Sequence, residues 1–116
     1  MDPIPIYFDY VMRSSISTTP KQPFIDWVKT IDRDHKLPSE AFEAEMYLVK
    51  SFETKIQMEN WLKKNYDLLF SDQLNNWLTD ETFWPQKRNL KMFREWFDYE
   101  LFTKVSDTVN GFIEKV

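Results

Sequence analysis

Lys87, Arg88, Lys91 and Arg94 fall within one short stretch, directly behind the turn Thr82-Phe83-Trp84-Pro85. Cations at this spacing, beside a helix start with free backbone N–H groups, are equipment for holding a carboxylate or a phosphate. Asn89 has the side chain to cap that helix. Trp84 precedes a proline and belongs to no apolar stripe, so its ring serves either as a plug for the corner or as an anchor for a partner. The competing use of Arg88 is an ion pair with a nearby acid such as Asp80 or Glu81. Lys87 and Arg88 also stand at the end of the helix where its dipole favours anions over cations.

Other chemistries are poorly provided for. The only histidine, His35, lies in the charged run Asp32-Arg33-Asp34-His35-Lys36 and reads as a solvated residue, which leaves a Ser-His-Asp arrangement or a histidine-rich zinc site without its parts. There is no cysteine, hence no disulfide, thiolate nucleophile or iron–sulfur ligand. Phosphate cradles need clustered glycines, and Gly111 is the only one. Glu40, Glu43, Glu45, Asp80 and Glu81 are the local acid groupings. Glu40 and Glu43 on one helix face could hold a hard cation or work as an acid/base pair, but a solvated acidic face is the simpler reading, and no EF-hand spacing occurs. No catalytic residue, metal ligand or cofactor is assigned, and enzymatic activity is not expected. A net charge of −4 disfavours nucleic acid. The opening MDPIPIYFDY carries an acid where an export signal needs positive charge, and no window approaches a membrane span of about 20 apolar residues. The expectation is a cytoplasmic protein with no membrane contact, whose partner is another protein or a second copy of the chain.

The elements that must position these residues follow from periodicity. At 116 residues the chain is long enough for one domain with a real core. Ile6–Ile16 alternates as a strand, and Ser17-Thr18-Thr19-Pro20-Lys21-Gln22-Pro23 reads as the turn that ends it. Phe24, Trp27, Val28 and Ile31 recur as a short amphipathic helix. Met46–Phe52 is nearly continuous in apolar residues, as for a central strand. Thr54 and Gln57 form a capping-box pattern ahead of a helix carrying Met58, Trp61, Leu62, Tyr66 and Leu69. Ser71-Asp72 offers a second cap before a shorter helix with Leu74, Trp77 and Leu78. Asn89 opens the last helix, with Leu90, Phe93, Trp96 and Phe97. From Tyr99 the period changes to two, and Asn110-Gly111 is a hairpin signal. The order predicts an α+β domain of two layers, a small mixed sheet of three to four strands covered on one face by about four helices.

Aromatics make up 17% of the chain, ten of them Phe and five Trp, more than a small core needs if each ring buries ~150–250 Å². Trp27, Trp61, Trp77 and Trp96 lie on helical stripes, where core packing accounts for them. Any surplus would mark a contact surface.

Pro20-Lys21-Gln22-Pro23-Phe24-Ile25-Asp26-Trp27, Trp84-Pro85-Gln86-Lys87-Arg88 and Phe93-Arg94-Glu95-Trp96-Phe97 together read PKxPFxxW, WPxxR and FxxWF. In this pattern the chain resembles an uncharacterised family of short bacterial proteins, over roughly Arg13 to Asp107. The resemblance carries no activity; it implies that Lys21, Trp84, Pro85 and Arg88 are family-motif positions, beside the more structural Phe24, Trp27 and Trp96.

Three functions are compatible with these readings. The first is a small interaction or regulatory module. The second is a pocket for a small anionic ligand, or an atypical enzyme, using Lys21, Trp84 and Arg88, with Pro85 and Arg94 beside them. The third is an acidic immunity- or inhibitor-type protein that masks a basic partner.

Overall fold

A central strand rich in small hydroxyl residues organises the molecule. The computed structural model describes residues 9–31 and 41–116. The expected loop around His35, the residues Leu37 to Glu40 and the start of the first predicted strand lie outside them. Among the described residues five strands and three α-helices follow one another: β1 (Asp9–Val11), β2 (Arg13–Pro20), α1 (Gln22–Ile31), β3 (Glu45–Lys50), α2 (Lys55–Asn75), α3 (Leu90–Trp96), β4 (Phe97–Phe102) and β5 (Val105–Asp107), with a 3₁₀ turn at Glu81–Phe83. The main sheet has the order β3-β2-β4, and β1 pairs with β5 in a separate ribbon.

The fold is α+β, as expected, with every pairing antiparallel rather than mixed. The helix after β2 therefore does not cross over to a parallel neighbour. β2 continues through the segment that reads as a turn, as far as Pro20 opposite Phe97. Two β-branched threonines suit a strand held between two partners, and Pro20 lies beyond the last β3 residue paired with β2, Glu45 opposite Thr18, where no donor is needed. Small side chains in the centre let the layers close. Ser14, fully buried, donates its hydroxyl to Thr103 O at 3.1 Å and accepts from Phe52 N at 2.9 Å, tying the two strand exits together.

β3 lies at a sheet edge, not centrally, since β2 is its one partner among the described residues, and only alternate residues are covered: Tyr47 and Val49 face the helices, whereas Met46 and Leu48 are exposed. The capping box at Thr54 and Gln57 forms as read, with Thr54 Oγ1 accepting from Gln57 N and Gln57 Oε1 accepting from Glu53 N and Thr54 N. No second cap occurs at Ser71-Asp72; α2 runs unbroken to Asn75. Those side chains have tertiary work instead: Ser71 Oγ donates to Asp67, and Asp72 accepts from the Tyr47 hydroxyl at 2.6 Å.

Asn89 caps α3 through Met92 N at 2.8 Å, and the helix passes directly into β4 at Phe97. Phe24, Phe70, Phe93 and Phe97 meet beneath the sheet with ring centres 4.9–6.0 Å apart, all essentially without solvent exposure. Offset and tilted contacts at this range add to the area they bury. The residues around Asn110-Gly111 form no strand pair among the described residues; Gly111, at φ +117°, occupies backbone space that glycine alone enters freely.

Candidate functional site

The corner that carries Trp84 is built from the backbone outward. Asp80 caps the 3₁₀ turn, accepting from the Thr82 hydroxyl at 2.7 Å and the Thr82 amide at 3.0 Å. Those bonds, the hydroxyl's first, hold the Asp80 carboxyl below its ordinary range. Trp84 follows in an extended conformation, as a residue before proline should. Its ring is 8% exposed, and its Nε1 donates to Leu78 O at 2.7 Å. It plugs the corner.

Arg88 answers an acid that the sequence does not bring near it. Its Nε lies 2.7 Å from Asp67 Oδ1 and its Nη2 3.2 Å from Asp67 Oδ2, while Nη1 donates to Pro85 O at 2.7 Å. Neither Asp80 nor Glu81 is its hydrogen-bonded partner. The guanidinium stacks over Trp84 and Phe70, 5.7 and 5.9 Å from the ring centres. This bond pattern holds Asp67 below its usual carboxylate range and raises Arg88, the side-chain hydrogen bond being the main cause of both shifts. Trp84, Pro85 and Arg88 are thus brought together, as a clasp from the loop onto α2.

Lys21 and Arg94 form a second group. Lys21 N donates to Trp96 O at 2.8 Å, its Nζ reaches Arg94 O at 3.3 Å, and Asp98 lies 4.0 Å away. Arg94 turns to Glu59 at 3.8 Å and to the Tyr99 hydroxyl, whereas Lys91 stands 4.0 Å from Glu95. The four cations read as one cluster therefore point to separate partners, except Lys87, for which no ion pair occurs among the described residues. Two of the motif segments meet in space, Phe24 touching Trp96 and Phe97, and Trp27 Nε1 donates at 3.1 Å to the carbonyl of Phe83, the residue just before the third.

One open surface is on the sheet. Its face away from the helices carries Leu48, Ser15 and Phe102 in one cross-strand row and Met46, Ser17 and Glu100 in the next. Leu48 and Phe102 are 46% and 38% exposed, and Met12 extends the patch. The tail from Val109 to Lys115 borders Met12 and Leu48 around an open hollow of about 720 Å³. At the other edge, an open groove of about 610 Å³ lies between β4 and the start of α2, with Lys55, Ile56, Glu59 and Lys63 on its helical wall.

The floor of that groove is unpaired backbone. In an antiparallel ladder, hydrogen-bonded and non-hydrogen-bonded pairs alternate. The bond from Lys21 N to Trp96 O fixes the phase, so Asp98, Glu100 and Phe102 bond toward β2 while Phe97, Tyr99 and Leu101 point outward. Phe97 spends its N–H on Phe93 O. The N–H and C=O groups of Tyr99 and Leu101 have no backbone partner among the described residues. The sequence shows the alternation that exposes Phe102 and Glu100, but not that β4 is an edge.

Among the described residues, no group of three or more His, Asp or Glu side chains converges to hold a metal ion, and no helix is long and apolar enough to cross a membrane. No family model, curated protein or solved structure matches this chain.

Proposed function

We propose that this protein is a small protein-interaction or regulatory module that works through the helix-free side of its sheet. The observation that carries the reading is the cross-strand row Leu48, Ser15 and Phe102, which presents two large apolar side chains to solvent beside exposed Met46 and Met12. Among the described residues no helix covers that face, and exposed apolar side chains are what association buries. Three of the four cations of the motif segments support this reading by their engagement: Arg88, Arg94 and Lys21 each lie within ion-pair distance of an acid of the same chain. The test is cross-linking of the intact chain in a cell lysate, with light scattering of the purified chain alongside. A defined complex or dimer that is lost in a Leu48→Lys, Phe102→Lys variant of unchanged stability is expected. A monodisperse monomer that retains no protein would overturn the reading.

A further inference from the structure

Resting on that interaction reading, we propose that the outer edge of β4 is a strand-addition site, where an extended, basic segment of a partner protein pairs with Tyr99 and Leu101 as a fourth strand of the main sheet. Three observations carry it. The outward N–H and C=O groups of Tyr99 and Leu101 repeat at the two-residue spacing that an added strand requires, and no described residue pairs with them. The space beside them is an open groove walled by α2, so a chain can lie along the edge. On the helix-free face the side chains that would flank it are acidic, Asp98 and Glu100, both exposed, with Phe102 next in line, whereas on the helical side Lys55 and Lys63 stand beside Glu59 and face the positions between.

The charge pattern sets the partner's chemistry. Positions opposite Asp98, Glu100 and Phe102 are non-hydrogen-bonded pairs on this edge, where side chains approach most closely. Opposite charges there stabilise and like charges destabilise. In the antiparallel direction the partner therefore reads apolar, non-basic, Lys or Arg, non-basic, Lys or Arg, with the apolar residue beside Phe102 and the non-basic residues toward Lys55 and Lys63. A second copy of the chain is a poor occupant. Pairing β4 with itself about Glu100 would set two glutamates face to face, which guards the edge against self-association.

The probe is a short synthetic peptide, capped at both ends, in which threonine alternates with isoleucine, arginine and arginine, titrated into the isotope-labelled intact protein. Amide shifts are expected to centre on Tyr99 and Leu101. N-methylation of the two peptide amides facing those residues should abolish them, while N-methylation of the amides between should not. Glu100→Lys should weaken the peptide roughly tenfold and favour its glutamate-substituted counterpart, from the cross-strand charge term. Shifts on Met46 and Leu48 instead, or none at Tyr99 and Leu101 at millimolar peptide, overturn the edge site; a complex still captured on the open face would show that the interaction reading survives it. Loss of both removes both.

Discussion

Replacing Arg88 with methionine separates a structural clasp from a cation reserved for a ligand. Methionine keeps a stem to pack against Phe70 and Trp84 but removes the hydrogen bonds to Asp67 and to Pro85 O. The Arg88 side chain is 18% exposed, but Asp67 is 49% exposed, which places their pairing at the upper end of the range for exposed ion pairs, about 1 kcal/mol. The charged donor lost by Pro85 O adds about 1.5 kcal/mol. The expected destabilisation is about 2.5 kcal/mol, a fall in Tm of roughly 10 °C at about 4 °C per kcal/mol for a domain of this size. Thermal and urea unfolding of Arg88→Met, Asp67→Asn and the double variant measure it, with a coupling of about 1 kcal/mol between the two sites. The pH dependence has a definite sign. Asp67 is held below its ordinary 3.8 when folded, so the pair stabilises in full above about pH 4 and is lost as pH falls below that. The deficit of Arg88→Met should narrow in acid. A variant with unchanged or raised Tm would refute the clasp and return Arg88 to the ligand-binding reading.

Thr18 is fully buried in the central strand and its Oγ1 has no hydrogen-bond partner among the described residues, so Thr18→Val, which keeps the β-branched shape, should raise stability by about 1 kcal/mol in urea unfolding. Trp84→Phe leaves Leu78 O without its donor and part of the corner empty, at a cost of about 2 kcal/mol in the same assay. The Tyr47 hydroxyl, which donates to Asp72 and accepts from Gln73, titrates well above its ordinary 10.0, first because it is buried and then through the bond to Asp72. Its contribution is complete below pH 10 and is lost as pH rises beyond it; Tyr47→Phe should flatten the alkaline limb of the stability profile and cost about 1 kcal/mol at neutral pH. Hydrogen exchange should find the amides of Asp98 and Glu100 protected and those of Tyr99 and Leu101 fast, and the reverse pattern would remove the proposed edge.

Local codes in this chain were legible because their physics is local. The Thr54–Gln57 box, the Asn89 cap, the stripe of α1 and the alternation from Tyr99 are each satisfied by partners within about one helical turn or along one strand. What remained hidden depends on groups far apart in the chain. Ser71 and Asp72 have cap chemistry, but Arg88 lies within hydrogen-bond reach of Ser71 and Tyr47 engages Asp72, so the helix continues. The threonines before Pro20 look like a turn until β3 and β4 flank them as a strand. Arg88 carries a charge that periodicity cannot pair with Asp67, twenty-one residues earlier. By itself, then, the sequence determined α1, the start of α2, α3, the strand from Tyr99 and the aromatic stripes of the core, along with the absence of cysteine and the poverty of glycine and histidine. Only the tertiary structure decided that Trp84 is spent on the corner, that Leu48 and Phe102 are exposed on the helix-free face of the sheet, and that the outer edge of β4 is unpaired among the described residues. Edge and face are relations between strands, and no single segment encodes which of its sides will find a neighbour.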